Sequence, residues 1–135
     1  RRIQMTVENT RTVIDGYLSA EHATDYLTDD VVYTIMSTGQ ENVGHEGVSQ
    51  MMEYFYSVAF DATYETRNLI YGEDHAVWEA DFIGKHIGDF GGIPATGKDV
   101  RVPLLVVYDI EGEKIKRARI YMEMPVMLKQ LGVST

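Results

Sequence analysis

The chain has 135 residues, 44% of them hydrophobic and 24% charged, which fits one soluble globular domain spanning residues 1–135 and leaves no room for a second. Its 12 basic and 21 acidic residues give a net charge of −9, which repels phosphate backbones and anionic lipid and sets nucleic acid and membrane surfaces aside as partners. With no cysteine, disulfides, thiolate nucleophiles and cysteine-based zinc sites are excluded.

Ile3, Val7, Ile14, Tyr17 and Leu18 share one helical face, which predicts a first helix ending near Ala20. A further turn or two fits His22 to Leu27, before the polar break Thr28-Asp29-Asp30. The β-branched and aromatic run Val31-Val32-Tyr33-Thr34-Ile35-Met36 reads as a strand, and residues 37–47, with three glycines, as a loop. Val48, Met51, Met52, Phe55, Tyr56, Ala59 and Phe60 then recur at steps of three and four, predicting a second amphipathic helix. From there the pattern turns extended over 64–71, 75–87, 98–110 and 114–124, separated by turn-forming residues, as in consecutive antiparallel strands. Pro125 and Gly132 bracket a short closing helical turn over 126–131. The order predicts an α+β fold with helices gathered on one side of a curved sheet.

Both faces of the strand around Val102–Tyr108 are apolar, since Val102, Leu104, Val106 and Tyr108 alternate with Pro103, Leu105 and Val107. Helices can cover one face, and the other is either packed on a second copy of the chain or partly shielded by loops; a homodimer is the expected cover. No apolar run reaches the roughly 20 residues that span a bilayer, and no signal-peptide block opens the chain, so an intracellular, cytoplasmic protein is expected.

The nine tyrosines and seven methionines supply adaptable amphipathic surface for a cavity between helices and sheet. Tyr17, Tyr33, Met51, Met52 and Tyr56 suit its lining, although each equally suits plain packing. His86 closes a strand on the face of Trp78 and Phe82, where it would either donate to a carbonyl oxygen or sit as an ordinary strand end. On the last strand, alternation puts Arg119, Tyr121 and Glu123 on one face and Ile120, Met122 and Met124 on the other. Alternation alone favours Ile120, Met122 and Met124 towards the core and the charged face towards solvent, with the reverse as the functional alternative. A carboxylate on the inner face would have its pKa raised by desolvation towards the range useful for proton transfer. No HxH or HExxH spacing, phosphate loop or nucleophile elbow occurs, and no metal is expected.

The stretch Lys85-His86-Ile87-Gly88-Asp89-Phe90-Gly91-Gly92-Ile93-Pro94-Ala95-Thr96-Gly97-Lys98 resembles the T-H-x-G-x-F-x-G-x-P-x-T-G-K signature of the SnoaL-like polyketide cyclases. Gly44-His45-Glu46-Gly47-Val48, the turn Glu111-Gly112-Glu113-Lys114-Ile115 and the ending Leu128-Lys129-Gln130-Leu131-Gly132 extend the likeness over most of the chain. The resemblance implies the cone-shaped nuclear-transport-factor-2-like fold, related to the cystatin-like barrels, and an aldol-type ring closure or isomerisation without cofactor. The substrate would be an apolar, polyketide-like molecule. The family's acid/base aspartate stands five residues before the leucine of its ending, which places Glu123 in that role, with Tyr121 and Arg119 near the cavity mouth and His86 or Tyr121 stabilising an oxyanion. Tyr17 falls where the family presents an aromatic from the first helix, and Tyr33, Trp78 and Phe82 complete the expected binding wall. The preceding strand has no histidine, and residues 31–36 lack the aspartate of the related ketosteroid isomerases. The alternative to an enzyme is a module of the same fold that binds a small hydrophobic molecule or serves only to dimerise.

Overall fold

The computed structural model describes residues 6–21 and 23–133, so the helical placement of Ile3 and the turn assigned to His22 lie outside the described residues. Helix α1, Val7–Ser19, begins where the Thr6 hydroxyl accepts the Asn9 N–H at 3.1 Å, and it buries Val13, Ile14 and Tyr17. A 3-10 turn, Ala23–Tyr26, leads into strand β1, Leu27–Ile35. The Tyr26 ring packs so closely on α1 that a Cβ at Gly16 would stand 2.6 Å from it.

Residues 37–47, expected as loop, instead contain strand β2, Gln40–Val43, and the first turn of helix α2, Gly44–Glu53. Strand β2 is a polar edge strand that buries only Asn42, so no alternation of apolar residues announces it. It returns on β1 through a turn at Gly39, whose φ of +79° suits glycine.

Helix α2 stops short of the expected end and widens into a π-helical turn, Tyr54–Val58, closed by the Ala59 N–H to the Tyr54 carbonyl at 2.8 Å. The long strands follow: β3 (Phe60–Tyr71), β4 (His75–His86), β5 (Asp99–Glu111) and β6 (Lys114–Met122). The short helix α3, Met124–Gln130, carries Pro125 in its first turn.

The six strands lie in the order β2-β1-β6-β5-β4-β3. The four long strands are antiparallel neighbours as expected, but β1 runs parallel to β6, which makes the sheet mixed. It curves without closing, with β2 and β3 as its edges. The three helices pack on its concave side. Inward residues of β4 and β5, Trp78, Ala80 and Phe82 against Val102, Leu104 and Val106, meet Ile14, Val48 and Met51 of the helices in one core. Completely buried side chains such as Phe60, Phe82 and Ile14 each contribute about 2 kcal/mol of apolar burial to that core.

On the convex side, a bulge between Thr66 and Asn68 turns Arg67 towards Asp81. The Asp81 carboxylate is only 2% exposed because Arg67 and Arg101 cover it, at 2.5 Å and 2.7 Å. Bonding to the two guanidinium groups, Arg67 foremost, holds its pKa down at about 2 against the opposing effect of burial. No helix among the described residues is long and apolar enough to cross a membrane.

Candidate functional site

The concave side leaves a cavity of about 210 Å³ between helices and sheet. Helix α1 brings Tyr17 and Leu18 to it, β1 brings Tyr33 and Ile35, and α2 brings Met51 and Met52. The π-helical turn adds Phe55 and Tyr56, and β3 adds Tyr64. Strands β4 and β5 supply Trp78, Phe82, Leu104, Val106 and Tyr108. The far wall is Ile120, Met122 and Met124.

The side-chain polar groups of this lining are five tyrosine hydroxyls and one indole N–H; among the described residues no carboxylate, imidazole, amine or guanidinium borders the cavity. The Trp78 N–H is already committed, donating to the Thr66 hydroxyl at 2.9 Å, and the Tyr64 hydroxyl donates to the Leu18 carbonyl at 2.8 Å. Tyr17, Tyr33 and Tyr108 form a cluster whose rings meet edge to face, with centroids 5.7 Å apart for Tyr17–Tyr108 and 6.4 Å for Tyr33–Tyr108. The Tyr33 hydroxyl donates to the Tyr17 oxygen at 2.7 Å. Burial raises the pKa of Tyr17, although the bond from Tyr33 opposes it, and raises those of Tyr33 and Tyr108 well above the usual phenol value. Burial likewise pushes up Tyr56. These phenols therefore stay protonated at neutral pH and serve as hydrogen-bond donors. Within the cluster Tyr17 accepts from Tyr33, which leaves its own proton for a ligand.

Tyr17, Tyr33, Trp78 and Phe82 stand where the sequence places them, on the cavity wall. The last strand is corrected. In the β5–β6 register Met122 faces Leu104 and Ile120 faces Val106, both inward, while Tyr121 is opposite Leu105 and Arg119 opposite Val107 on the convex face. The two-residue alternation runs on through the junction with α3, so Met124 returns to the cavity and Glu123 points outward and is exposed. Tyr121 is 45% exposed. Arg119 grips Asp109 with both terminal nitrogens, at 2.9 Å and 3.3 Å. The inner wall of β6 is thus methionine and isoleucine, the face that the expected site left out.

His86 is also displaced from the expected role, since it borders neither the cavity nor the groove described next. It is fully buried beside Phe60, and its Nδ1 accepts the Thr96 N–H at 3.2 Å, which fastens the glycine-rich loop to the end of β4. Residues missing from the sequence-based site are Tyr108, Tyr64, Leu104 and Val106. The inward alternation of β5 signals three of them; Tyr64, at the expected start of a strand, gives none.

Beside the cavity, a groove of about 760 Å³ runs between the β1–β2 hairpin, α2 and the loop 88–98. Its border includes Ser37, Thr38, Gln40, Asn42, Gln50 and Tyr54, with Glu41 the one charged side chain. Among the described residues no group of three or more histidine, aspartate or glutamate side chains is placed to hold a metal ion.

A sequence profile described as SnoaL-like polyketide cyclase matches residues 7–131. No curated protein matches the chain. Among solved structures, a candidate SnoaL-like polyketide cyclase from Jannaschia sp. CCS1 superposes with a TM-score of 0.81 at 17% identity, covering 100% of this chain and 99% of that one. AclR from Streptomyces galilaeus, described as a candidate hydroxylase, gives 0.78 at 19% identity over 96% of this chain and 89% of its own. TsrD from Streptomyces laurentii gives 0.75 at 21% identity over 94% and 97%. The likeness to these structures is one of fold, the ketosteroid-isomerase-like or nuclear-transport-factor-2-like fold.

Proposed function

The chain belongs to the SnoaL-like polyketide cyclase family, and on that premise we propose that its cavity binds a small, mainly apolar, carbonyl-bearing molecule of polyketide type and promotes its ring closure by electrophilic activation. The observation that carries this reading is the Tyr17–Tyr33–Tyr108 hydroxyl cluster as donor set in an otherwise apolar lining. A carbonyl oxygen that accepts the Tyr17 proton becomes more electrophilic at carbon, and the Tyr33 hydroxyl behind Tyr17 shares the charge that develops on it.

An aldol-type addition can run on this set without a carboxylate in the cavity. The enol carbon of a 1,3-dicarbonyl segment bonds to the polarised carbonyl carbon. The enol hydroxyl loses one proton and the new alkoxide gains one, so the step is neutral in protons overall. The wall of Leu104, Val106, Ile120 and Met122 would hold the chain folded so that the reacting carbons meet. Glu123, on the convex face, has no part in this scheme. A second reading, in which the cavity holds its ligand without turnover, is favoured by a lining that is, among the described residues, apolar apart from phenol hydroxyls and one indole N–H.

Trp78 is the one tryptophan of the chain and lines the cavity, so its fluorescence reports occupancy. A naphthyl ketone is expected to bind more tightly than the alkylnaphthalene of the same shape, and Tyr17→Phe to weaken only the ketone, by about 1 kcal/mol or about fivefold in Kd. Equal affinity for ketone and hydrocarbon in the unaltered protein would refute the donor role. Release of a cyclised product from a poly-β-keto substrate, lost in Tyr17→Phe, separates the enzyme from the holder.

A further inference from the structure

Ile35, Met51, Phe55 and Met124 border both the cavity and the outer groove, so the two volumes are separated by a single layer of side chains. The π-helical turn arranges this. Of its consecutive aromatics, Tyr54 borders the groove, Phe55 both volumes and Tyr56 the cavity. The layer is built mainly of side chains with several rotatable bonds. Met51 is pinned by a hydrogen bond from the Asn42 amide to its sulfur at 3.2 Å, whereas Met124 stands at the start of a helix only seven residues long.

The two volumes differ in chemistry. The inner one offers aromatic and aliphatic surface with phenol donors, and the outer one, among the described residues, offers neutral amides and hydroxyls with one carboxylate and no cation. We propose that they are two compartments of one site whose ligand is elongated and amphipathic. Its apolar, carbonyl-bearing ring portion fills the cavity, and a neutral hydrogen-bonding tail passes between Ile35, Phe55 and Met124 to lie along Gln40 and Gln50. Glu41 and the net charge of −9 select against an anionic tail. This assignment of ligand class rests on the cavity being the binding site, as proposed above.

The probes are a naphthyl ketone alone, the same ketone carrying a short alkyl chain that ends in a primary amide, and the matching carboxylate. Gln40 and Gln50 are exposed, but the Gln40 amide donates to the buried Asn42 at 3.1 Å, so the double variant Gln40→Ala/Gln50→Ala is compared with Gln50→Ala alone, and an unchanged urea midpoint shows the core intact. The amide-tailed ketone is expected to bind at least about fivefold more tightly than the plain ketone, and the double variant to remove that gain while leaving the plain ketone unchanged. The carboxylate-tailed ketone is expected to lose the gain as well. If the plain ketone binds but the tailed one gains nothing, or keeps its gain in the double variant, the two-compartment site is overturned and the cavity reading stands. If even the plain ketone leaves Trp78 unperturbed, both fall.

Discussion

Tyr17 is the residue on which the proposed chemistry turns, and its neighbours decide its acidity. A phenol buried in apolar surroundings is a poor acid, yet the Tyr33 hydroxyl that donates to its oxygen favours the developing phenolate, and its pKa rises less than those of Tyr33 and Tyr108. The same burial gives a stability signature. Below pH about 10 the folded and unfolded chains hold these phenols equally protonated; above it only the unfolded chain ionises them, so stability falls as pH rises. In an alkaline titration followed by tyrosinate absorbance, Tyr17, Tyr33, Tyr56 and Tyr108 are expected to ionise only together with loss of the far-ultraviolet circular dichroism of the fold. Ionisation of all nine tyrosines in a chain that keeps its fold would contradict the buried cluster.

Among the elements, β4 and β6 show two ways of placing a charge on the convex side of the sheet. Asp81 is covered there by Arg67 and Arg101, and because its pKa is depressed, its contribution is complete above pH about 4 and is lost as pH falls towards 2. Asp81→Asn is therefore expected to lower the urea midpoint at pH 7 and to flatten its decline between pH 4 and pH 2. An unchanged acid limb would show that the arginines do not hold this carboxylate.

On β6, strand parity was legible in the residues themselves: Ile120, Met122 and Met124 are apolar and alternate with Arg119, Tyr121 and Glu123, and the cavity takes the apolar set. Counting back from the closing leucine to a family carboxylate reached Glu123, but a count of residues carries no information about which face a strand residue occupies. Tyr17, Tyr33, Trp78 and Phe82 were readable because period and aromatic character agree at those positions. Strand β2 and the π-helical turn were not, because the first buries almost no apolar side chain and the second keeps the apolar spacing of an ordinary helix end.

For the whole molecule, the convex face leaves Ile70, Val77 and Val107 in one row across β3, β4 and β5, with Leu105 and Tyr121 in the next. Ile70 is 56% exposed, and Arg119 at the end of the row and Glu79 and Arg117 in the neighbouring rows mix both signs of charge, a pattern that can complement itself across a two-fold axis. The homodimer expected from the apolar strand is proposed to form here, and light scattering is expected to give twice the chain mass, halved by Leu105→Glu. A monomer for the unaltered protein at micromolar concentration would rule it out. The proposal that matters most is that the working groups lie in the concave cavity, with the Glu123 carboxylate outside it. Trp78-detected ketone titrations of Glu123→Gln and Tyr17→Phe, run side by side, test it most directly: Glu123→Gln is expected to match the unaltered protein and Tyr17→Phe to bind about fivefold more weakly, whereas weakening by Glu123→Gln with Tyr17→Phe unaffected would contradict it.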